Sequence, residues 1–133
     1  MRKLEIGQTA SFSKTISEVD VYGFAGIVGD FNPVHINKEI AKKSIFGKRI
    51  AHGMLVGSLI STVLGTKLPG DGTIYMEQNL KFKNPVFFGD TVTATVHVVE
   101  ILNENKGIYR LETKIKNQDD VVTHEGYAIV KYI

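Results

Sequence analysis

The order of hydrophobic periodicities along the chain predicts an α+β fold built on an antiparallel sheet. Three observations carry that prediction. Val21, Phe24, Ala25 and Val28 recur at helical spacing. The most apolar run, GMLVGSLISTVLG at residues 53–65, is long enough for a second major helix and is broken by LPGDG. From Thr73 onward the period falls to two, so helices come early and strands late.

In chain order, residues 3–15 alternate weakly and are expected to supply an opening strand or two. Ser17 followed three residues later by Asp20 resembles a capping box, with Asp in the slot usually held by Glu or Gln. The helix it opens is expected to stop at Gly29, a residue suited to the position just beyond a helix end. Asn32-Pro33 makes a turn, and Asn37 is placed to cap a short helix, KEIAKKSIF, that Gly47 ends. The long helix then runs from near Gly53 to about Lys67. Val92, Ala94, Val96 and Val98 alternate with threonines and His97, and Tyr109, Leu111, Thr113 and Ile115 share one face of the next strand. With TIYMEQNLKF and VVTHEGYAIVKYI, four strands are expected after the long helix.

Bulk properties narrow the function. A chain of 133 residues is one domain, expected to span 1–133, and 43% hydrophobic residues suffice for a real core. A formal charge of +2 is too mild to argue for nucleic acid. The absence of cysteine excludes disulfides and thiolate metal sites. MRKLEIGQTASF lacks the apolar stretch of a signal peptide, and residues 53–65 fall short of the ~20 apolar residues a membrane span needs. The expectation is a cytoplasmic protein that engages neither membrane nor nucleic acid.

Gly53, Gly57, Ser61 and Gly65 recur every four residues, so one stripe of the long helix has almost no side chains. Each glycine costs a helix roughly 1 kcal/mol against alanine. Close approach to a curved sheet would compensate, and so would a ligand channel beside the helix; the two are compatible.

The stretch GDFNPVH, residues 29–35, carries the chemistry. Asp30 follows a helix C-terminus, where the macrodipole disfavours an anion, and shielding from water would raise its proton affinity further. His35 lies across a turn that Pro33 stiffens. The two side chains can converge on one water, although Asp30 also suits a plain Asx-turn and His35 a half-buried packing role. In AHGM, residues 51–54, Gly53 opens the long helix with an unpaired N–H, a good partner for a carbonyl oxygen gaining charge. His52 could be catalytic, but it reads as a flanking packing or capping residue. Acid, imidazole, oxyanion donor and apolar channel together suit addition of water next to an activated carbonyl. That reaction needs no metal.

Phe24, Gly29, Asp30, Asn32, Pro33, Val34, His35 and Ala41 fit the motif of an aromatic residue, a spacer, G-D-x-N-P-(L/I/V)-H and a later small residue. Val28 departs from it, in a slot usually small or polar. On this pattern, and on IAHGMLVGSLIS, LPGDGTIY, NLKFKNPVFFGDTV and GYAIVKY, the chain resembles the R-specific enoyl-CoA hydratases (hydratase 2) of the MaoC-like hot-dog group. The resemblance implies a single hot-dog fold, a curved antiparallel sheet wrapped around a long central helix. It implies that Asp30 and His35 hold the attacking water and that Gly53 supplies the oxyanion N–H. Asn32 and Ser61 become substrate-binding candidates, Ser61 as a hydroxyl beside the catalytic carboxylate. It also implies an acyl-CoA thioester substrate of short to medium chain, no cofactor beyond the CoA of the substrate, and a homodimer or dimer of dimers with the site near the subunit boundary. Lys48, Arg49, Lys81 and Lys83 are either phosphate partners or solvated surface charge. A thioesterase on the same fold, a non-enzymatic acyl-CoA binding protein and a dehydratase fed by acyl carrier protein are the competing readings.

Overall fold

A computed structural model describes residues 2–133. Strand β1 (Thr9–Thr15) leads into helix α1 (Glu18–Val28), and two short helices follow, α2 (Pro33–Ile36) and α3 (Lys38–Lys42). Helices α4 (Gly53–Gly57) and α5 (Leu59–Thr66) precede β2 (Ile74–Phe82), β3 (Thr91–Asn103), β4 (Ile108–Lys116) and β5 (Val122–Lys131). All five strands join one antiparallel sheet in the order β1-β3-β4-β5-β2. The expected class and the four late strands are present; the opening segment forms one strand.

The local signals explain most element ends. Ser17 Oγ accepts the Asp20 N–H at 3.1 Å while Asp20 Oδ2 accepts the Ser17 N–H at 3.0 Å, a complete capping box. Gly29 closes α1 with φ +81°, a left-handed conformation that a Cβ would strain.

Three boundaries differ from the sequence-based expectation. The Asn-Pro pair starts a helix and does not merely turn: Asn32 Oδ1 caps Val34 N–H at 3.1 Å, and Pro33 takes the first helical position, where its missing N–H costs nothing. Asn37 caps α3 as expected, but α3 ends at Lys42, because the Ser44 hydroxyl bonds back to the Ala41 carbonyl at 2.6 Å and tightens the chain into a turn. The long helix is interrupted at Ser58. There the Ser58 N–H is shared between the Met54 and Leu55 carbonyls, and its hydroxyl bonds back to Leu55, a pattern that bends helices.

Helix α5 packs on β3 and β1. Val56, Ile60 and Val63 are fully buried and form one ridge across α4 and α5. That ridge shares one core with Val92, Ala94, Val96 and Val98 of β3 and with Tyr109, Leu111 and Ile115 of β4. Register shifts after Val98 and Ile101 in the β3–β4 pair, and after Tyr75 in β2, bend the sheet.

The two sheet edges differ in chemistry. Along β1, hydroxyls of Ser11, Ser13 and Thr15 pair with Thr95, Thr93 and Thr91 of β3 at 2.7–2.8 Å. The β2 edge instead exposes Ile74, Tyr75, Met76 and Phe82.

Candidate active site

Helix α1 ends at Gly29, so Asp30 is the first residue of the loop, and α2 returns His35 to the same place five residues later. Across from them, α4 begins at Gly53. A cavity of about 630 Å³ lies between these elements, with Asp30, His35, His52, Gly53, Lys83 and His124 among its walls. Phe24, Val28, Phe46, Ile50, Met54, Val56, Phe82 and Val86 make the rest of the lining largely apolar.

Asp30 Oδ1 accepts the Asn32 N–H at 3.1 Å, so the Asx-turn is formed and Oδ2 remains for other partners. His35 is 8% exposed, and its Nδ1–H donates to the Ile50 carbonyl at 2.7 Å. A carbonyl only accepts, so this bond fixes the tautomer and leaves Nε2 with its lone pair. His52 stacks on His35 with ring centroids 3.9 Å apart, and its Nε2–H donates to the Asp30 carbonyl at 2.9 Å. Asp30, His35 and His52 each bring one ligand atom within 4.8 Å of the others.

The small-residue stripe divides in two. A Cβ on Gly53 would stand 2.6 Å from the Phe82 ring, and one on Gly57 would stand 2.8 Å from Leu80 Cδ2. Close approach to β2 therefore accounts for both, and Gly53 also lines the cavity. Ser61 and Gly65 are exposed, and nothing lies within 4 Å of a Cβ on Gly65.

Of the predicted residues, Asp30, His35 and Gly53 come together at one cavity. Asn32 does not join them: it is exposed, and its side-chain oxygen is engaged in capping α2. Ser61 lies outside the cavity lining of its own chain, because the turn of helix that follows Gly57 carries it to solvent. Asp30 is exposed as well, so the condition of shielding from water is not met within one chain. Arg49 is tied to Glu18 at 3.3 Å and to the Tyr22 hydroxyl, and Lys48 sits over the Phe87 ring at 4.5 Å. Lys83 lines the cavity, 3.5 Å from Glu125, whereas Lys81 is exposed on β2 outside it.

Sequence reasoning passed over His124. Its Nε2–H donates to the Gly53 carbonyl at 2.9 Å, tying β5 to the first turn of α4. The available signal was an imidazole in a strand whose next alternate positions are Gly126, Ala128 and Val130.

Residues 3–122 match the family described as MaoC like domain. The (R)-specific enoyl-CoA hydratase of Rhodospirillum rubrum is 58% identical over 100 residues, 75% of this chain and 69% of that protein. The (R)-specific enoyl-CoA hydratase of Aeromonas caviae is 45% identical over 130 residues, 98% of this chain and 96% of that one. The solved structure of the A. caviae (R)-hydratase involved in PHA biosynthesis superposes with a TM-score of 0.94 at 44% identity, covering all of both chains. The arrangement of one sheet on one central helix is thus the hot-dog fold of those hydratases.

Burial lowers the pKa of His35 from its ordinary value; the bond to Ile50 opposes this, the neighbouring His52 adds to it, and the Asp30 charge opposes it. Burial lowers that of His124 too, against the bond to Gly53. Both rings therefore bind protons more weakly in the folded chain than in the unfolded one. As pH falls from the ordinary histidine value near 6.5 through the depressed values, protonation favours the unfolded state and stability is lost. Urea midpoints measured between pH 7.5 and pH 5 should fall with pH, and His35→Gln or His124→Gln should each flatten the decline. An unchanged slope in both variants would count against the buried neutral rings.

Proposed function

The chain belongs to the MaoC-like domain family, and from that premise we propose that it is a hydro-lyase acting on acyl-CoA thioesters. The reaction is the reversible hydration of a trans-2-enoyl-CoA to the (R)-3-hydroxyacyl-CoA. One observation carries the reading: a single apolar cavity holds a carboxylate, an imidazole with a free Nε2, and the first residue of a helix.

Asp30 Oδ2 and His35 Nε2 are both acceptors, so a water between them donates to each. Its oxygen forms a bond to Cβ of the enoyl group as one proton passes to the pair. The π electrons of the double bond move through Cα to the thioester oxygen, which gains negative charge. The Gly53 N–H, without a partner inside its helix, faces that charge. The pair then delivers one proton to Cα, so the elements of water are added and no redox step occurs. Dehydration runs the same steps backwards. The scheme uses no metal and no cofactor beyond the CoA of the substrate.

An apolar cavity of this size favours a short to medium acyl chain. A CoA thioester is an intracellular metabolite, so the proposed location is the cytoplasm. No helix among the described residues is long and apolar enough to cross a membrane.

The proposed working unit is a homodimer, or a dimer of such dimers, formed along β2. An edge strand offers unpaired N–H and C=O groups, and this one adds a row of exposed apolar side chains. Pairing β2 with a second copy covers both, and a two-fold dimer is the commonest closed assembly. Phe82 belongs to that edge and to the cavity, so the partner would also cover the exposed side of the site.

Crotonyl-CoA tests the chemistry. Enoyl absorbance should fall without release of thiol, and the product should be the R-3-hydroxy thioester. Free thiol would identify a thioesterase, and binding without turnover a carrier. Asp30→Asn and His35→Gln should each lower kcat by about 100-fold or more, with a double variant far from additive. Near-normal turnover in folded Asp30→Asn would remove the carboxylate from the scheme. Light scattering tests the assembly: a dimer should be seen, with specific activity declining on dilution as it dissociates. A monomer fully active at every dilution would overturn the shared site.

A further inference from the structure

His52 is 3% exposed, yet its ring keeps a polar atom, Nδ1, buried without a hydrogen-bond partner among the described residues. An unpaired buried acceptor is costly, and packing alone would be served by an apolar residue. The other contacts of the ring give a reason for it. Nε2–H donates to the carbonyl of Asp30 at 2.9 Å, which fixes the loop carrying the carboxylate. One face stacks on His35 at 3.9 Å with planes 28° apart, and Phe24 closes the nook at 5.0 Å. The backbone of His52 accepts the Val56 N–H at 3.2 Å and so opens α4, and its own peptide carries the Gly53 N–H.

We propose that His52 is a positioning residue: one side chain holds the Asp30 loop, the His35 ring and the Gly53 peptide in a common register. It acts through these neighbours and not on the reacting atoms. The kinetic consequence rests on the hydration reading above; the structural one does not. Asp30 and His52 are the titratable groups felt by His35, the first favouring its charged form and the second opposing it. The Ile50 carbonyl also favours the charged form.

Two variants separate the contacts. His52→Gln keeps an N–H donor for the Asp30 carbonyl and loses the ring. His52→Phe keeps the ring and loses the donor. Each should lower kcat for crotonyl-CoA roughly tenfold with little change in KM, because a small misplacement of reacting groups acts on the chemical step. In both, removal of the neighbouring imidazole should move the His35 titration, read by NMR, to higher pH, together with the acid limb of the rate profile. Folded variants with wild-type kcat and a wild-type His35 titration would overturn the proposal, even with a lowered Tm. Should the wild-type chain fail to hydrate crotonyl-CoA, the functional reading falls, and the Gly53 and Asn32 amide chemical shifts still test the role of His52: shifts unchanged in both variants would overturn it.

Discussion

The contact between the first turn of α4 and strand β2 governs the geometry of the site. Gly53 and Gly57 have no Cβ, and one at either position would run into Phe82 or Leu80. The helix start therefore lies directly against the strand. That closeness places the Gly53 peptide in the wall of the cavity and Phe82 beside it. The glycines weaken the helix by roughly 1 kcal/mol each, and the fully buried ridge of Val56, Ile60 and Val63 holds the helix on the sheet.

Around this contact, three imidazoles use the same device. His35 donates to Ile50, His52 to Asp30 and His124 to Gly53, each to a main-chain carbonyl of another segment. A ring N–H bonded to a carbonyl has a fixed tautomer and orientation. These three bonds join the loop after α1, the segment before α4, the start of α4 and strand β5. Buried in a mostly apolar wall, the His35 and His124 rings stay neutral more readily than in water.

Much of this was legible in the sequence, where the signal was local. The Ser17–Asp20 box, the Gly29 stop and the alternation of Val92 to Val98 each depend on neighbours a few residues apart, and each is found in place. Turn chemistry and a helix start drew notice to Asp30, His35 and Gly53, but it was the family resemblance that singled them out, and the fold brings them to one cavity. The rest depended on tertiary partners. Asn32 suits a turn and a cap equally well, and only the chain after Pro33 decides. His124 takes its meaning from Gly53, 71 positions away. Ser61 shares a stripe with Gly53 and Gly57, but the stripe outlasts its contact with β2, a limit that periodicity cannot mark.

That limit has a physical consequence. Gly53 and Gly57 explain their own cost through the strand they touch, whereas Gly65 touches nothing that a Cβ would disturb. Ser61 beside it is exposed, as are Asp30 and the apolar side chains of β2. A general base works best out of bulk water, where electrostatic interactions are strengthened. A single chain leaves its carboxylate wet and its apolar edge bare. The proposed dimer meets both conditions with one surface, since the edge strand that needs covering carries a wall of the cavity.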